Sequence, residues 1–286
     1  MTTTIANAKT IAFQGEPGAY ANLAAREAVP HAKAVPAPTF EDAIARAHDG
    51  DTDLVIIPVE NSLIGRIADI HHLLPHSGLH IVGEHFLPIH HQLLGVKGAT
   101  LQDVKTVYSQ APALAQCRAI LRDQKLTAHN WYDTAGSAKH VAELGDKSAA
   151  AIASVLAGEI YGLDVLKADV EDEHHNATRF LIMSRDGAFA PNQGKVVTTL
   201  VFQVKNVPAA LYKAMGGFAT NGVNMTKLES YQMGGSFNAT RFYADIQGHP
   251  DAPHVKRALE ELAFHTAEHR IMGVYPAHPF REDMPD

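Results

Sequence analysis

The sequence predicts an α/β part with a mostly parallel sheet and helices on both faces, followed by a smaller α+β ferredoxin-like unit. Two patterns predict this. Strand-like and helix-like segments alternate from residue 9 to about residue 186. After the glycine- and proline-containing segment 187–194, the order of segments changes to βαββαβ. The length of 286 residues also favours two domains.

The first part opens with an apolar strand at residues 10–13 and a helix from Ala19. Thr39 is typical of a helix N-cap, because Asp42 follows three residues later and an apolar stripe lies behind it. A buried strand at 54–59 comes next. Further strands are expected at 81–82, 93–96, 104–108 and 149–153, with helices at 112–122 and from Thr134. In sheets of this kind, ligands bind beyond the carboxyl ends of the strands.

The second part has the strand and helix order of a split βαβ unit. Its strands are expected at 196–204, 225–231, 237–246 and 271–275, and its helices at 208–220 and 253–264. Gly234-Gly235 is a hairpin turn signal between the two middle strands. The polar, proline-rich tail from Pro276 is expected to be loosely held.

Composition excludes several classes of protein. A net charge of −7 without a Lys/Arg run argues against nucleic-acid binding. The single cysteine, Cys117, cannot form an intramolecular disulfide and is expected to be a small core residue. No signal peptide and no apolar run of membrane-spanning length is visible, so no membrane association and a cytoplasmic location are expected.

The sequence also predicts no metal and no nucleotide cofactor. It contains 18 histidines, but no HExxH motif and no Cys/His cluster, so they are expected to be solvated or capping residues. Glycine-rich fingerprints of dinucleotide and phosphate loops are missing as well.

The pentapeptide Asn-Ala-Thr-Arg-Phe occurs twice, at residues 176–180 and 238–242. Its polar side chains suit a small polyanion, because arginine forms a fork for a carboxylate, and Asn and Thr are directional neutral donors. The second copy falls within a predicted strand of the ferredoxin-like unit, where a solvated strand explains it. The first copy follows an acidic loop and is therefore the candidate site.

Other polar groups follow strands or begin helices in the same part of the chain. They are Glu60-Asn61-Ser62, Ser109-Gln110 and the helix start at residues 134–137. A helix start offers backbone amides to an anion, whereas turn formation and helix capping explain the same residues without a ligand. As a set, these neutral donors suit anion binding and assistance to a leaving group more than covalent catalysis.

Taken in order, five segments make the chain resemble the prephenate dehydratase family with a C-terminal ACT regulatory domain. The segments are 13–20, 58–62, 113–117, 134–138 and 176–180. The resemblance spans about residues 9 to 275. One departure is that the family often reads Ser-His-Pro-Gln where this chain has Ser109-Gln110-Ala111-Pro112.

The resemblance implies a two-lobed catalytic domain of the periplasmic-binding-protein-like type II fold at residues 9–187. Its lobes would comprise about 9–80 plus 165–187, and about 85–160. An ACT domain at 195–275 and a tail at 276–286 would follow.

The implied reaction converts prephenate to phenylpyruvate, carbon dioxide and water in phenylalanine biosynthesis, without a cofactor. In the family, the threonine that matches Thr178 is the key catalytic hydroxyl. Arg179 is either a carboxylate clamp or a structural ion pair, and both alternatives stay open. The other implied catalytic or positioning residues are Asn176, Glu60, Asn61, Ser62, Ser109 and Gln110. Implied substrate-binding residues are Thr134, Gly136, Ser137 and Phe180.

The ACT resemblance implies that L-phenylalanine acts as a feedback effector bound between paired copies, in a homodimer or homotetramer. The matching residues are Ala209, Ala210, Leu211, Asn221, Gly222, Asn224, Met225, Thr226, Leu228, Glu229 and Ser230. Two alternatives remain for the whole chain. One is a non-catalytic amino-acid sensor, and the other is an arogenate dehydratase.

Overall fold

The structure is a computed structural model that describes residues 3–232 and 239–282. Its strands are β1 Thr10–Gln14, β2 Lys33–Ala37, β3 Leu54–Asn61, β4 Gly65–Arg66, β5 His80–Pro88, β6 Gln92–Gly95, β7 Thr106–Ser109, β8 Thr127–Asn130, β9 Ala149–Ala153, β10 Asp164–Lys167, β11 Ala177–Ser184, β12 Val196–Val204, β13 Met225–Gln232, β14 Ala239–Gln247 and β15 Thr266–Pro276. Its helices are α1 Thr3–Asn7, α2 Tyr20–Ala28, α3 Phe40–Asp49, α4 Ala68–Leu73, α5 Ala111–Ala115, α6 Arg118–Asp123, α7 Thr134–Leu144, α8 Val155–Tyr161, α9 Ala210–Thr220 and α10 Pro253–His265, with 3₁₀ turns at Leu74–His76 and Pro279–Arg281. Within these ranges, no helix has the length and apolar character that crossing a membrane requires.

Two sheets form the first part of the molecule, as the α/β prediction expects. In the first sheet, β1 is parallel to β2 and β3, and β11 runs antiparallel between β3 and β5. In the second sheet, β7 is parallel to β8 and β9, and β6 and β10 run antiparallel at the other side.

The chain crosses between the two sheets later than the sequence suggested. All of β5 pairs with β11, from His80 opposite Ser184 to Pro88 opposite Ala177, and this pairing keeps β5 in the first sheet. Likewise β10 pairs with β6 in the second sheet. The crossings therefore lie at 89–91 and 168–176, which corrects the expected lobe limits near 80–85 and 160–165.

The second part forms the predicted ferredoxin-like unit. Its strands are antiparallel in the order β13-β14-β12-β15, and α9 and α10 cover one face. The core between them includes Phe202, Phe218 and Leu262. The expected hairpin turn at Gly234-Gly235 and the start of the second pentapeptide, Asn238, lie outside the described residues.

A feature that the sequence did not indicate is the junction between the two parts. Strand β15 lies parallel to β5, with Gly273 opposite Ile81, so one sheet runs from β13 through β15 and β5 to β2. Because this sheet continues past the segment 187–194, the division into domains at 9–187 and 195–275 stays a prediction.

Two local predictions have different outcomes. Thr39 is an N-cap as predicted, because its Oγ1 accepts from Asp42 N at 3.1 Å. The single helix predicted at 112–122 is wrong, because it is divided into α5 and α6 at Gln116 and Cys117. The division has a tertiary cause. The Asp172 carboxylate, far along the chain, accepts from the first backbone amides of α6 at 2.9 and 3.0 Å.

The C-terminal tail is held firmly as far as residue 282, which corrects the expectation of a loose segment. Arg281 bonds to the buried Glu84 carboxylate at 2.6 and 2.8 Å. The Phe280 ring stacks on Phe86 with 5.0 Å between ring centroids. An ion pair and a stacked aromatic ring therefore attach the tail to β5.

The junction between β15 and β5 predicts a strong effect of Gly273→Ala. A Cβ at residue 273 would lie 2.1 Å from the Ile81 carbonyl oxygen, so the two strands could not keep their spacing. We expect the free energy of unfolding to fall by at least about 1–3 kcal/mol, as in overpacked cores. Chemical denaturation measures this.

Gly216→Ala is the matched control. Gly216 lies in α9, and a Cβ there would meet no described atom within 4 Å. Alanine favours a helix over glycine by about 1 kcal/mol, so this variant should be as stable as the wild type or slightly more stable. Equal stability of both variants would contradict a tight strand junction.

Candidate active site

A cleft of about 410 Å³ lies between the two sheets. Strands of the first sheet contribute Asn61, Thr178 and Phe180, whereas Gln110 and Thr134 lie at the starts of the helices that follow β7 and β8. The remainder of its surface is mostly apolar. The structure therefore brings five of the predicted site residues together at one cavity, where the carboxyl ends of β3 and β7 meet the start of β11.

Thr178 lies on β11 at the inner wall of the cleft. Its Oγ1 accepts a hydrogen bond from Asn61 Nδ2 at 3.0 Å. Among the described residues, no acceptor takes the hydroxyl hydrogen of Thr178, so this hydrogen can be donated to a molecule in the cleft. The Asn61 bond also polarises the hydroxyl in the direction that makes it a better donor.

Asn61 is fixed in the orientation that this bond requires. Its Oδ1 accepts from the backbone amides of Leu63 at 3.0 Å and Ile64 at 3.1 Å, an Asx-type turn at the end of β3. Its Nδ2 therefore faces Thr178 and Asn176, whose Oδ1 it also reaches at 2.7 Å. Asn61, the last residue of β3, therefore stabilises the turn through Oδ1 and orients the Thr178 hydroxyl through Nδ2.

The hydrogen bonds continue from Asn176 into the second lobe. Asn176 Nδ2 donates to Gln116 Oε1 at 3.1 Å, and His91 Nε2 lies 2.9 Å from the same oxygen. Tyr20 Oη lies 2.7 Å from His91 Nδ1. This network of neutral groups joins the interruption between α5 and α6 to the start of β11.

Burial favours the neutral form of His91, because it penalises a charged imidazole. Because Gln116 Oε1 accepts from Asn176, we assign the hydrogen of the neutral imidazole to Nε2. Nδ1 then shares the Tyr20 hydroxyl hydrogen with His90 O, which lies 3.0 Å from Tyr20 Oη. Burial lowers the pKa of His91 below its usual 6.5, although the bond to Gln116 opposes this, and burial raises the pKa of Tyr20 well above 10. Both side chains are therefore uncharged at neutral pH.

Sequence reasoning missed Gln116, His91 and Tyr20 as site residues. Gln116 and Tyr20 lie within segments that contributed to the family resemblance, so that signal was present. His91 was expected to be solvated or capping, and this is wrong, because it is only 2% exposed. Nothing in a His-His dipeptide distinguishes this buried ring from the exposed ring of His90.

Four predicted site residues use their polar atoms on the protein itself. Ser109 donates to Ile152 O at 2.7 Å, and Ser137 donates to Asp133 O at 2.7 Å. Gly136 N donates to the Asp133 carboxylate, which caps α7. Ser62 donates to His175 O at 3.0 Å. The hydrogens of the three serine hydroxyls and of the Gly136 amide are thus taken by groups of the protein at the ends of strands and helices. The predicted substrate contacts of these four residues stay predictions.

Arg179 faces away from the cleft, because neighbouring residues of a strand point to opposite faces. Its guanidinium donates to Glu60 at 2.8 Å, Glu84 at 2.9 Å and Asp245 at 2.6 Å. It also reaches Tyr275 Oη at 2.9 Å. Of the two alternatives left open by the sequence, the structure shows the ion pair, and the carboxylate clamp is corrected.

Glu60 belongs to the same buried network and not to the cleft wall. It accepts from Arg179 at 2.8 Å and from Lys227 at 2.5 Å. Burial alone would raise its pKa, but the two cations outweigh burial and hold the pKa of Glu60 below its usual 4.5. The expected substrate-positioning contact of this carboxylate is therefore corrected as well.

Charge within the cleft is sparse. Among the described residues that line it, Arg66 is the single lysine or arginine, and Asp133 is the single carboxylate. Burial raises the pKa of Asp133 above 3.8, against the hydrogen bonds of the α7 amides. The site therefore relies on neutral donors for most of its polar contacts.

One trio of described residues has ligand atoms close enough together for a metal ion: His90, Asp169 and Glu171. Side chains of this trio are hydrogen-bonded to one another, with His90 Nδ1 3.0 Å from Glu171 Oε1. The other Glu171 oxygen accepts from His91 N at 2.8 Å. This trio holds the crossing segment that carries His91, beside the cleft.

Comparisons with known proteins agree with this fold and site. The sequence model of the prephenate dehydratase family matches residues 11–188. A relative from Komagataeibacter europaeus, named bifunctional N-acyl-homoserine lactone acylase/prephenate dehydratase, is 52% identical over 96% of this chain and 98% of its own length. Arogenate dehydratase/prephenate dehydratase 1 of Arabidopsis thaliana is 36% identical over 93% of this chain and 71% of its own length.

The fold comparison gives the same result. The crystal structure of prephenate dehydratase in complex with L-Phe from Arthrobacter aurescens has a TM-score of 0.87 at 28% identity, covering 97% of this chain and 92% of that one. This confirms the expected class, a two-lobed α/β fold of the periplasmic-binding-protein-like type joined to a ferredoxin-like unit. The chain belongs to the prephenate dehydratase family.

The Arg179 network predicts a large loss of stability in Arg179→Met. Glu84 and Asp245 have fully buried side chains and would lose their shared cation. Glu84 keeps Arg281 at 2.6 and 2.8 Å, whereas Asp245 keeps only the same cation at 3.7 Å. Breaking a buried ion pair costs about 3–5 kcal/mol in other proteins, and we expect a similar loss by urea denaturation.

The double variant Arg179→Met/Asp245→Asn is the control for this effect. Asp245 is the buried carboxylate that loses its close cation, because Glu84 keeps Arg281 and Glu60 keeps Lys227. Neutralising Asp245 should therefore recover part of the loss in a double-mutant cycle. Additive losses would contradict direct pairing of the two side chains.

Proposed function

We propose that this protein is a prephenate dehydratase, which converts prephenate to phenylpyruvate in phenylalanine biosynthesis. The observation that carries the proposal is the Thr178 hydroxyl. It lies on the cleft wall, accepts from Asn61 and has a hydrogen left to donate. The family match over residues 11–188 supports the same activity.

The reaction suits a cleft of neutral donors. Prephenate carries two carboxylates and an allylic hydroxyl, and the products are phenylpyruvate, carbon dioxide and water. One proton is taken up, the C–O bond breaks, and the electrons of the bond to the ring carboxylate complete the aromatic ring. Thr178 donates a hydrogen bond to the departing oxygen, where negative charge develops in the transition state.

The walls of the cleft assist the loss of carbon dioxide. Phe180, Pro112 and Ile64 present apolar surface, and poor solvation of the ring carboxylate favours its conversion to neutral carbon dioxide. Arg66 is the cation available to attract the dianion. Pro112 stands where the family often has glutamine, which makes this wall more apolar than the family pattern.

Thr178→Ala tests the proposed role of the hydroxyl. Purified protein should form phenylpyruvate from prephenate in the presence of a chelator and without nucleotide, followed by its absorbance in alkali. Loss of one oxyanion-type donor costs about 10²–10³ in kcat, and we expect a similar loss here with little change in thermal stability.

Thr240→Ala is the matched control, since Thr240 has the corresponding place in the second pentapeptide. Its kcat should stay within about twofold of the wild type. Equal turnover of Thr178→Ala and wild type would remove Thr178 from the mechanism. A comparison of kcat/KM for arogenate and prephenate identifies the preferred substrate. A higher kcat/KM for arogenate would contradict the proposed preference for prephenate.

A second candidate activity is hydrolysis of N-acyl homoserine lactones, the acylase activity named for the 52% identical relative. A second groove of about 570 Å³ adjoins the cleft, with Ile64, Pro112 and Gln116 common to both. Its outer walls include Leu63, Ala111 and Ala115, which offer apolar surface to an acyl chain.

Leu63→Asp separates the two activities, because Leu63 lines the second groove and not the cleft. A charge in this groove should lower kcat/KM for a long-chain acyl homoserine lactone at least tenfold, measured by release of the free amine. Turnover of prephenate should change less than threefold. Absence of amine release by the wild type would exclude the acylase candidate.

We further propose that the ferredoxin-like unit is an ACT domain that binds L-phenylalanine between paired copies of the chain. The related structure from Arthrobacter aurescens is a complex with L-Phe. The predicted effector residues lie at the start of α9, in the turn at Gly222 and along β13. Among the described strands, β13 ends the order of the sheet, and a strand in that position can pair with a second copy. A homodimer or homotetramer would place two such edges together.

A further inference from the structure

Five side chains of alternating charge connect β11 to the cleft wall through the ferredoxin-like unit. In order they are Arg179, Glu60, Lys227, Glu229 and Arg66. The successive N···O distances are 2.8, 2.5, 3.3 and 3.6 Å. Arg66 Nη1 also donates to Ser230 O at 3.0 Å. We call this set the charge chain.

The exposure of each side chain determines how strong its ion pair in the charge chain is. The side chain of Arg179 is 3% exposed, that of Lys227 is 10% exposed, and that of Arg66 is 46% exposed. Water screens the outer pair and leaves the inner pairs strong. The contact between Lys227 and Glu60 is therefore the main polar link from β13 to the end of β3.

The end of β3 is also where the catalytic geometry is set. Glu60 is followed directly by Asn61, whose amide holds Thr178. Across the β3–β4 pair, Glu60 stands opposite Arg66, the cation of the cleft. A small movement of β13 against β3 would therefore reach the donor to Thr178 and the cleft cation together.

Strand β13 carries Lys227 among the predicted effector residues, with Thr226 before it and Leu228 after it. Side chains alternate along a strand, and the exposure of β13 alternates accordingly. One face of the strand thus holds the β3 end through Lys227 and Glu229, while its backbone and edge are available to a ligand or a second copy.

We propose that Lys227 is a positioning residue of the dehydratase site: it holds the β3–β4 turn in place for catalysis and transmits the effect of a ligand bound at β13. This inference rests on the proposed function, both the dehydratase activity and the binding of phenylalanine. Coupling of two sites is reciprocal and commonly amounts to about 5–150-fold in affinity. Removing the Lys227 side chain should therefore abolish the coupling, while the dehydratase site still binds substrate and the effector site still binds phenylalanine.

Lys227→Met tests the proposal in the full-length protein. The quantities to measure are kcat and KM for prephenate with and without saturating phenylalanine, and the Kd of phenylalanine by calorimetry without substrate. We expect the ratio of kcat/KM without and with phenylalanine to fall at least fivefold. We also expect KM to rise at least threefold, and the Kd of phenylalanine to change less than threefold.

Two further lysine variants separate positioning from general stability. Lys227→Arg keeps the charge and should keep the ratio within about twofold of the wild type. Lys195→Met removes a lysine of the same unit that pairs with Glu282 at 2.9 Å on the exposed surface, away from β3. It should leave all three quantities unchanged. Glu60→Gln breaks the same link from the other side, should reduce the ratio similarly, and serves if Lys227→Met does not fold.

The outcomes distinguish this inference from the function on which it rests. A wild type without turnover, or without any response to phenylalanine, would overturn the proposed function itself. A wild type that responds, together with a Lys227→Met variant that keeps the wild-type ratio, would overturn the positioning role alone. Loss of phenylalanine binding by more than tenfold in Lys227→Met would make Lys227 an effector-binding residue and would also overturn it.

Discussion

The structure depends on one buried guanidinium. Arg179 is shared by carboxylates of β3, β5 and β14, so a single side chain joins the first sheet to the ferredoxin-like unit. Isolating an arginine from water is costly, and here the cost is offset because its Nε and Nη donors reach charged or hydroxyl acceptors. Arg281 supplies a second cation to Glu84, so the carboxylates are balanced as well. The same two parts of the molecule also meet where Gly273 pairs with Ile81.

The Arg179 network adjoins the candidate active site because side chains alternate between the two faces of a strand. Thr178 and Arg179 are neighbours on β11, and the pleat sends one into the cleft and the other toward the ferredoxin-like unit. Their partners on β3, Asn61 and Glu60, alternate in the same way. Two paired dipeptides, one on each strand, therefore place the Thr178–Asn61 hydrogen bond and the Arg179–Glu60 ion pair on opposite faces. A shift in one face reaches the other through a rigid, paired backbone.

The cleft itself is built from neutral groups whose orientations depend on each other. The turn after β3 fixes the Asn61 amide, Asn61 fixes the rotamers of Thr178 and Asn176, and Gln116 and His91 extend the order to Tyr20. Such preorganised dipoles stabilise developing charge without having to reorient during the reaction. For the proposed substrate, neutral donors would also avoid strong binding of the dianion in its ground state, which would add nothing to turnover.

Local patterns in the sequence determined most of the central strands and helices, the ferredoxin-like unit and the Thr39 cap. They also gave a set of site residues that includes Thr178, Asn61, Gln110, Thr134 and Phe180, which line one cleft. These depend on hydrophobic periodicity, on short-range capping and on motifs that resemble a family. Only the tertiary structure decided that Arg179 and Glu60 face the ferredoxin-like unit, that His91 is buried, that Asp172 divides a helix and that the tail is attached to β5. Each of these depends on a partner more than 50 residues away along the chain, and pairing at that distance leaves no periodic trace in the sequence.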